Sequence, residues 1–200
     1  MTTVAIDLRP AAGSLRRSGL CVLPAERDGD DKRVALRSWK PFQHRLPTDD
    51  ELGGWLDRRP TSICLVCGAI SGNLEMIDFD LGNKAFGAWR ALIESTCPGL
   101  ADRLVVETTP SGGRHAVYRC ESPVSGNCKL AQRRIEADGP GDVAIGGKRF
   151  RPRQDASGAW HVVVTLIETR GEGGLFLCAP SPGYVLLQGD LAEPPVVTEE

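Results

Sequence analysis

Apolar and polar positions along this chain follow two periods, and the switches between them divide it into strands and helices. The run Ser62-Ile63-Cys64-Leu65-Val66-Cys67 is unbroken, compact and of strand length, which predicts a strand covered on both faces. Residues 74–80 (Leu-Glu-Met-Ile-Asp-Phe-Asp) predict another, with Ile77 and Phe79 turned into the core. Val-, Ile-, Thr- and aromatic-rich stretches at 103–109, 115–120, 160–169, 174–178 and 184–188 predict further strands. Strands at 20–24 and 33–37 flank an Asp- and Gly-rich turn at 26–32 and form a hairpin. Helical spacing appears at 11–18 and at 84–95, where Phe86, Trp89, Leu92 and Ile93 share a side. A third helix starts at Thr48, whose capping box with Glu51 precedes the apolar Leu52, Trp55 and Leu56. A tight turn at 68–72 links two strands, and 138–158, dense in Gly, Pro, Arg and Lys, is a long loop or mobile hairpin. The tail from Ala192, with Pro194 and Pro195, reads as a linker. Strands interleaved with few helices give an α+β or α/β class.

Composition narrows the setting. A chain of 200 residues, 41% hydrophobic and 25% charged, suits one compact domain or two small lobes sharing a core. The formal charge of -2 provides no overall basic field, although a local patch can still meet phosphates. No apolar run is long enough to span a membrane, and Met1-Thr2-Thr3 does not open a signal peptide. The 7 cysteines are odd in number and form no disulfide framework, which favours a reducing, cytoplasmic setting. Cys64 and Cys67 have a zinc-knuckle gap, and Cys120 and Cys128 lie near His115 and His161, but these positions read better as buried small hydrophobes. No zinc is expected.

Three segments carry chemistry. In Met76-Ile77-Asp78-Phe79-Asp80, strand alternation aims Asp78 and Asp80 to one face. Two carboxylates held that close repel unless a cation sits between them, and magnesium and manganese prefer such oxygen ligands. The other reading is a solvated strand end. In Thr109-Pro110-Ser111-Gly112-Gly113-Arg114-His115, Gly112 and Gly113 allow a tight turn whose backbone N–H groups converge on an anion, with Ser111 and His115 as further donors. The other reading is a β-turn beside a half-buried histidine. In Ile167-Glu168-Thr169-Arg170-Gly171-Glu172-Gly173-Gly174, Glu168 can complete a three-carboxylate site, with Arg170 on the same face reaching for phosphate. A charged turn is the alternative, and for Glu172 the preferred one. Lys148, Arg149, Arg151 and Arg153 form a basic run, with Arg133 and Arg134 ahead of it; this is either a solvated loop or a flap on a nucleic-acid backbone. Trp160 belongs to the core or stacks on a base.

In order and spacing, the acidic pair, the Gly-Gly-Arg-His turn and the Glu-Thr-Arg-Gly-Glu-Gly-Gly segment resemble motifs I, II and III of the archaeo-eukaryotic primases. The branch they resemble is the bifunctional primase–polymerases (Prim-Pol) of plasmids, phages and prophages. Trp39-Lys40-Pro41-Phe42-Gln43, Gly68-Ala69-Ile70-Ser71-Gly72 and Ala179-Pro180-Ser181-Pro182-Gly183-Tyr184 resemble the family's flanking elements, so the likeness covers about residues 10–190. Many relatives carry aspartate where Glu168 stands.

The resemblance implies an α+β fold in which an N-terminal α/β unit (1–73) packs on an RRM-like unit (74–190), with a catalytic cleft between them and residues 191–200 as tail or linker. It implies template-directed nucleotidyl transfer, with Asp78, Asp80 and Glu168 holding two divalent ions, magnesium or manganese. Ser111, Gly112, Gly113, His115 and Arg170 would bind the nucleotide, and Lys148, Arg149, Arg151 and Arg153 the DNA. Implied partners are a single-stranded DNA template, a primer, nucleoside triphosphates and a helicase domain or protein, with no membrane. A metal nuclease and a nucleotide-binding module without turnover are the competing classes.

Overall fold

The structure is a computed structural model that describes residues 6–29, 31–81 and 84–198. Residue 30 of the expected 26–32 turn, and Glu199 and Glu200 of the tail, lie outside the described residues. The first element of the described residues is α1 (Arg9–Arg17), which buries Ala12 and Leu15. The hairpin β1 (Cys21–Asp28) and β2 (Asp31–Val34) follows, then a 3-10 turn at Lys40–Gln43 and α2 (Asp49–Leu56). The capping box at α2 is present in both directions: Glu51 N donates to Thr48 Oγ1 at 3.1 Å and Thr48 N to Glu51 Oε2 at 2.9 Å. Next come β3 (Ser62–Val66), a 3-10 turn at Ala69–Ser71, β4 (Leu74–Phe79), α3 (Phe86–Thr96) and the single turn α4 (Leu100–Arg103).

The remainder is mostly strand: β5 (Val105–Thr108), β6 (Arg114–Cys120), β7 (Lys129–Glu136), β8 (Val143–Ile145), β9 (Lys148–Phe150) and β10 (Arg153–Gln154). After these come β11 (Trp160–Arg170), β12 (Leu175–Leu177), β13 (Val185–Gln188) and β14 (Val196–Val197). A 4-stranded sheet runs β12-β3-β1-β2, and an 8-stranded sheet runs β10-β11-β4-β6-β5-β13, with β7 on β11 and β14 on β6. The class is mixed α+β with few helices. No helix among the described residues is long and apolar enough to cross a membrane.

One buried cluster joins the two sheets. Leu15 of α1, Leu52 and Leu56 of α2 and Val22, Ile63 and Leu65 of the smaller sheet pack with Leu74, Met76, Val105 and Val117 of the larger. Alternation then sends Leu23, Cys64 and Val66 to the other face of the small sheet, and Ile77, Phe79, Val106 and Ala116 to the outer face of the large one. Phe86 and Trp89 cover that outer face by packing on Phe79, with ring centroids 5.1 and 4.9 Å apart.

The structure departs from the sequence pattern in four places. Leu92, expected on the apolar side of α3, is 63% exposed, because the helix touches the sheet only through its first turns. The strand β7 was unforeseen; its Lys-Leu-Ala-Gln-Arg-Arg-Ile-Glu run lies mostly exposed and is held by backbone pairing with β11 rather than by burial. β12 returns from the C-terminal half to pair with β3, so the sheets do not divide the chain cleanly at residue 73. In the segment expected to be a tail, Leu191 is buried and Val196 and Val197 pair in parallel with Arg119 and Cys120.

Candidate functional site

Sheet register builds a row of chemistry across four strands. Glu168 on β11 lies opposite Asp78 on β4, Asp78 opposite His115 on β6, and His115 opposite Glu107 on β5. Directly opposed residues share a face, so these side chains meet in sequence across the sheet. Asp80 follows the end of β4, where its N–H donates to Leu166 O at 3.1 Å. One ligand atom from each of Asp78, Asp80 and Glu168 lies within 4.8 Å of the others, and all three residues are partly buried.

The electrostatics fit a site built for positive charge. Burial pushes the Asp78 carboxyl above its ordinary range; neighbouring Asp80 adds to that shift, while His115 opposes it. Nitrogen-bearing side chains already lean on the cluster. Lys148 Nζ donates to Asp80 Oδ1 at 2.6 Å, Arg170 donates to Glu168, and His115 Nε2 stands 3.8 Å from Asp78 Oδ1.

Beside the row is a cavity of about 480 Å³, within the range of small-molecule sites. Lys32, Arg33 and Tyr184 line it together with Phe176 of β12, and the large sheet contributes Met76, Asp78, His115 and Arg170. Burial lowers the Lys32 ammonium's pKa, and Asp78 works against that shift.

The turn before β6 is held tightly against the acidic strand. Thr109 N donates to Gly113 O and Gly113 N to Thr109 Oγ1, each at 3.1 Å. A Cβ on Gly113 would sit 2.4 Å from Phe79 O, the carbonyl between Asp78 and Asp80, so only glycine permits this approach. Gly112 has φ +79°. Ser111 Oγ lies 3.1 Å from Thr109 Oγ1 on the exposed side of the turn, and Ser111 is not among the residues lining the cavity.

The Glu-Thr-Arg-Gly-Glu-Gly-Gly segment divides its work. Glu168 and Arg170 face the site, whereas Glu172 Oε2 accepts from Ala69 N at 2.8 Å and ties down the turn ahead of β4. Gly68, at φ +90°, has room for no Cβ because Glu172 Oε2 would be 2.2 Å away. Gln43 Nε2 donates to Gly173 O at 3.1 Å, which joins the N-terminal element to the same segment.

Of the basic run, Lys148 turns to Asp80, Arg149 and Arg151 are exposed, and Arg153 Nε approaches His161 Nε2 at 3.4 Å. The structure thus gathers Asp78, Asp80, Glu168, His115, Arg170 and Lys148, and leaves Ser111, Arg149, Arg151 and Arg153 outside the cluster. Two site residues escaped the sequence reading. Glu107 is fully buried beside His115, and its signal was an acid inside the apolar stretch Val105-Val106-Glu107. Lys32 gave no signal among the charges of its hairpin.

A family model described as bifunctional DNA primase/polymerase, N-terminal, matches residues 11–196 and so includes every residue of this row. Comparison with curated proteins returned no match. With the match spanning nearly the whole chain, this protein belongs to the bifunctional DNA primase/polymerase family.

Proposed function

We propose that the chain starts and extends nucleic-acid strands on a single-stranded DNA template by two-metal nucleotidyl transfer, in the replication of a plasmid, phage or prophage. The observation that carries this reading is the acidic triad with ligand atoms within 4.8 Å, whose Asp78 lines a cavity together with His115 and Arg170. The RRM-like unit would be the large sheet, and the cavity the active cleft.

An all-carboxylate donor set fits a hard divalent cation, and the upward push on Asp78 is relieved when positive charge arrives. Asp78, Asp80 and Glu168 would hold magnesium or manganese, which when bound supplies a more acidic 3′-hydroxyl and neutralises charge on the phosphates. The protein's own residues position the reactants. His115 and Arg170 direct N–H donors toward triphosphate oxygens, and charge-assisted bonds of this kind are the strong ones. Lys32 adds positive charge from the opposite sheet, and Ser111, Gly112 and Gly113 bring donors from the turn. Lys148 reaches phosphate from its place on Asp80. Arg149, Arg151 and Arg153 follow the DNA backbone without reading sequence.

The test is primer extension and de novo priming on single-stranded DNA with magnesium or manganese, comparing wild type with the Asp78→Ala/Asp80→Ala double variant. Wild type makes product and the variant none. Equal activity in both refutes the reading, and DNA cleavage without added nucleoside triphosphates reassigns the site to a nuclease.

A further inference from the structure

The acidic row accounts for only part of the cavity's lining. Apart from Lys32 and Arg33, the remainder is apolar or aromatic, and no serine, threonine, asparagine or glutamine among the described residues lines it. Trp39 is the largest side chain there. It is half-buried, packs on the cluster of Leu23, Phe42 and Cys64, and borders the cavity.

The backbone of Trp39 is fixed relative to the acids. Phe42 N donates to Trp39 O at 2.9 Å, and Phe42 is itself buried against Trp55, with ring centroids 5.2 Å apart. Gln43 Nε2 donates to Gly173 O in the segment that carries Glu168 and Arg170. The indole, by contrast, is uncommitted. Among the described residues it meets no other ring, no cation and no hydrogen-bond partner, whereas Trp55 and Trp89 each pack on a phenylalanine ring.

We propose that Trp39 is the stacking platform for the base of the incoming nucleotide, and that this grip does not distinguish one base from another. The inference rests on the function proposed above and deepens it. The indole and Asp78 border one space of about 480 Å³, so a nucleotide whose phosphates lie at the acids has its base in reach of Trp39. A flat π face is the chemistry that an unoccupied indole takes, and every base has one. Reading a base edge takes directed donors and acceptors. The neutral groups suited to that are missing from the lining except for the Tyr184 hydroxyl, which is closed to solvent. The charged ones serve phosphate and metal. This division suits a template-directed enzyme, in which the template selects the base and the protein must hold all of them alike. It also suits the first bond of a new strand, when no primer end exists for the base to stack on.

The experiment is calorimetric titration, with magnesium and without template, of the ribo- and deoxynucleoside triphosphates of all bases. Inorganic tripolyphosphate is the probe without a base. Trp39→Leu keeps an apolar side chain on the cluster and removes the π face. It is expected to bind every nucleotide about tenfold more weakly than wild type, to a similar extent for each base, and to bind tripolyphosphate unchanged. Trp39→Phe is expected to recover most of the loss. In wild type, nucleotide but not tripolyphosphate should quench indole emission, and Trp39→Phe should remove that quench while still binding nucleotide.

A Trp39→Leu protein that binds nucleotides as wild type does overturns the proposal and leaves the functional reading standing. An equal loss for tripolyphosphate overturns it too, because Trp39 then serves the phosphates or the fold. A loss confined to one base overturns the claim of an undiscriminating grip. Should Trp39→Leu fail to fold, a quench that survives in Trp39→Phe overturns the proposal. A wild type that binds none of the nucleoside triphosphates overturns the proposal and the functional reading together.

Discussion

Replacing Gly113 with alanine tests how tightly the turn before β6 is locked to the acidic strand. The new methyl would lie 2.4 Å from Phe79 O and 3.0 Å from Thr109 Oγ1. The first neighbour is backbone and cannot swing away, and the second already accepts the Gly113 N–H at 3.1 Å. Forcing a methyl into such a contact costs about 1–3 kcal/mol. The loss of unfolded-state freedom returns about 0.4–1 kcal/mol. At the middle of both ranges the net destabilisation is about 1.3 kcal/mol, which for a chain of this size lowers the melting temperature by roughly 3–5 °C. Gly53→Ala is the control. It lies inside α2 with nothing within 4 Å of the added Cβ, and should gain about 0.5–1 kcal/mol. Thermal unfolding followed by circular dichroism reads both variants. A Gly113→Ala protein melting at or above wild type would refute the steric argument, and with it the claim that this turn braces the Asp78–Asp80 segment.

Two further outcomes follow from the charges. Asp78 is pushed up in the folded protein, so the stability linked to it is present below the ordinary Asp value of about 3.9 and lost as pH rises through the raised value. Metal-free Asp78→Asn should therefore melt above wild type at neutral pH, with the gap closing as pH falls toward that ordinary value; a gap that widens on acidification contradicts this. Lys148 sits beside Asp80 where the proposed cation would bind, through an exposed pair worth at most about 1 kcal/mol, so Lys148→Ala should tighten manganese binding by roughly two- to fivefold in calorimetry. Weaker binding would show that the ammonium helps to hold the metal rather than competing with it.

The parts of this fold that were legible from sequence were local. Thr48 and Glu51 lie three residues apart, so the capping box and its helix could be read directly, and the period of two in 74–80 placed Asp78 and Asp80 on one face. Contacts between distant segments were not legible from pattern. That Glu168 falls opposite Asp78 is a matter of register between β4 and β11, which the family likeness suggested and periodicity could not. The return of β12 to the N-terminal sheet depends on a long-range pairing that three residues cannot signal. β7 escaped because it buries little, leaving its backbone pairing without a hydrophobic signature. Glu107 was hidden for the opposite reason: it occupies a core position in an apolar strand, and its contacts with His115 and Ala179 N form only when distant segments meet.

The central claim is that Asp78, Asp80 and Glu168 together bind divalent metal against a nucleotide's phosphates. It is tested most directly by crystals grown with manganese and a non-hydrolysable nucleoside triphosphate, with the metal located by anomalous scattering. The account predicts manganese bound to oxygens of all three carboxylates, with the triphosphate's oxygens facing His115 and Arg170. Manganese bound elsewhere, or a triphosphate seated away from this row, would contradict it.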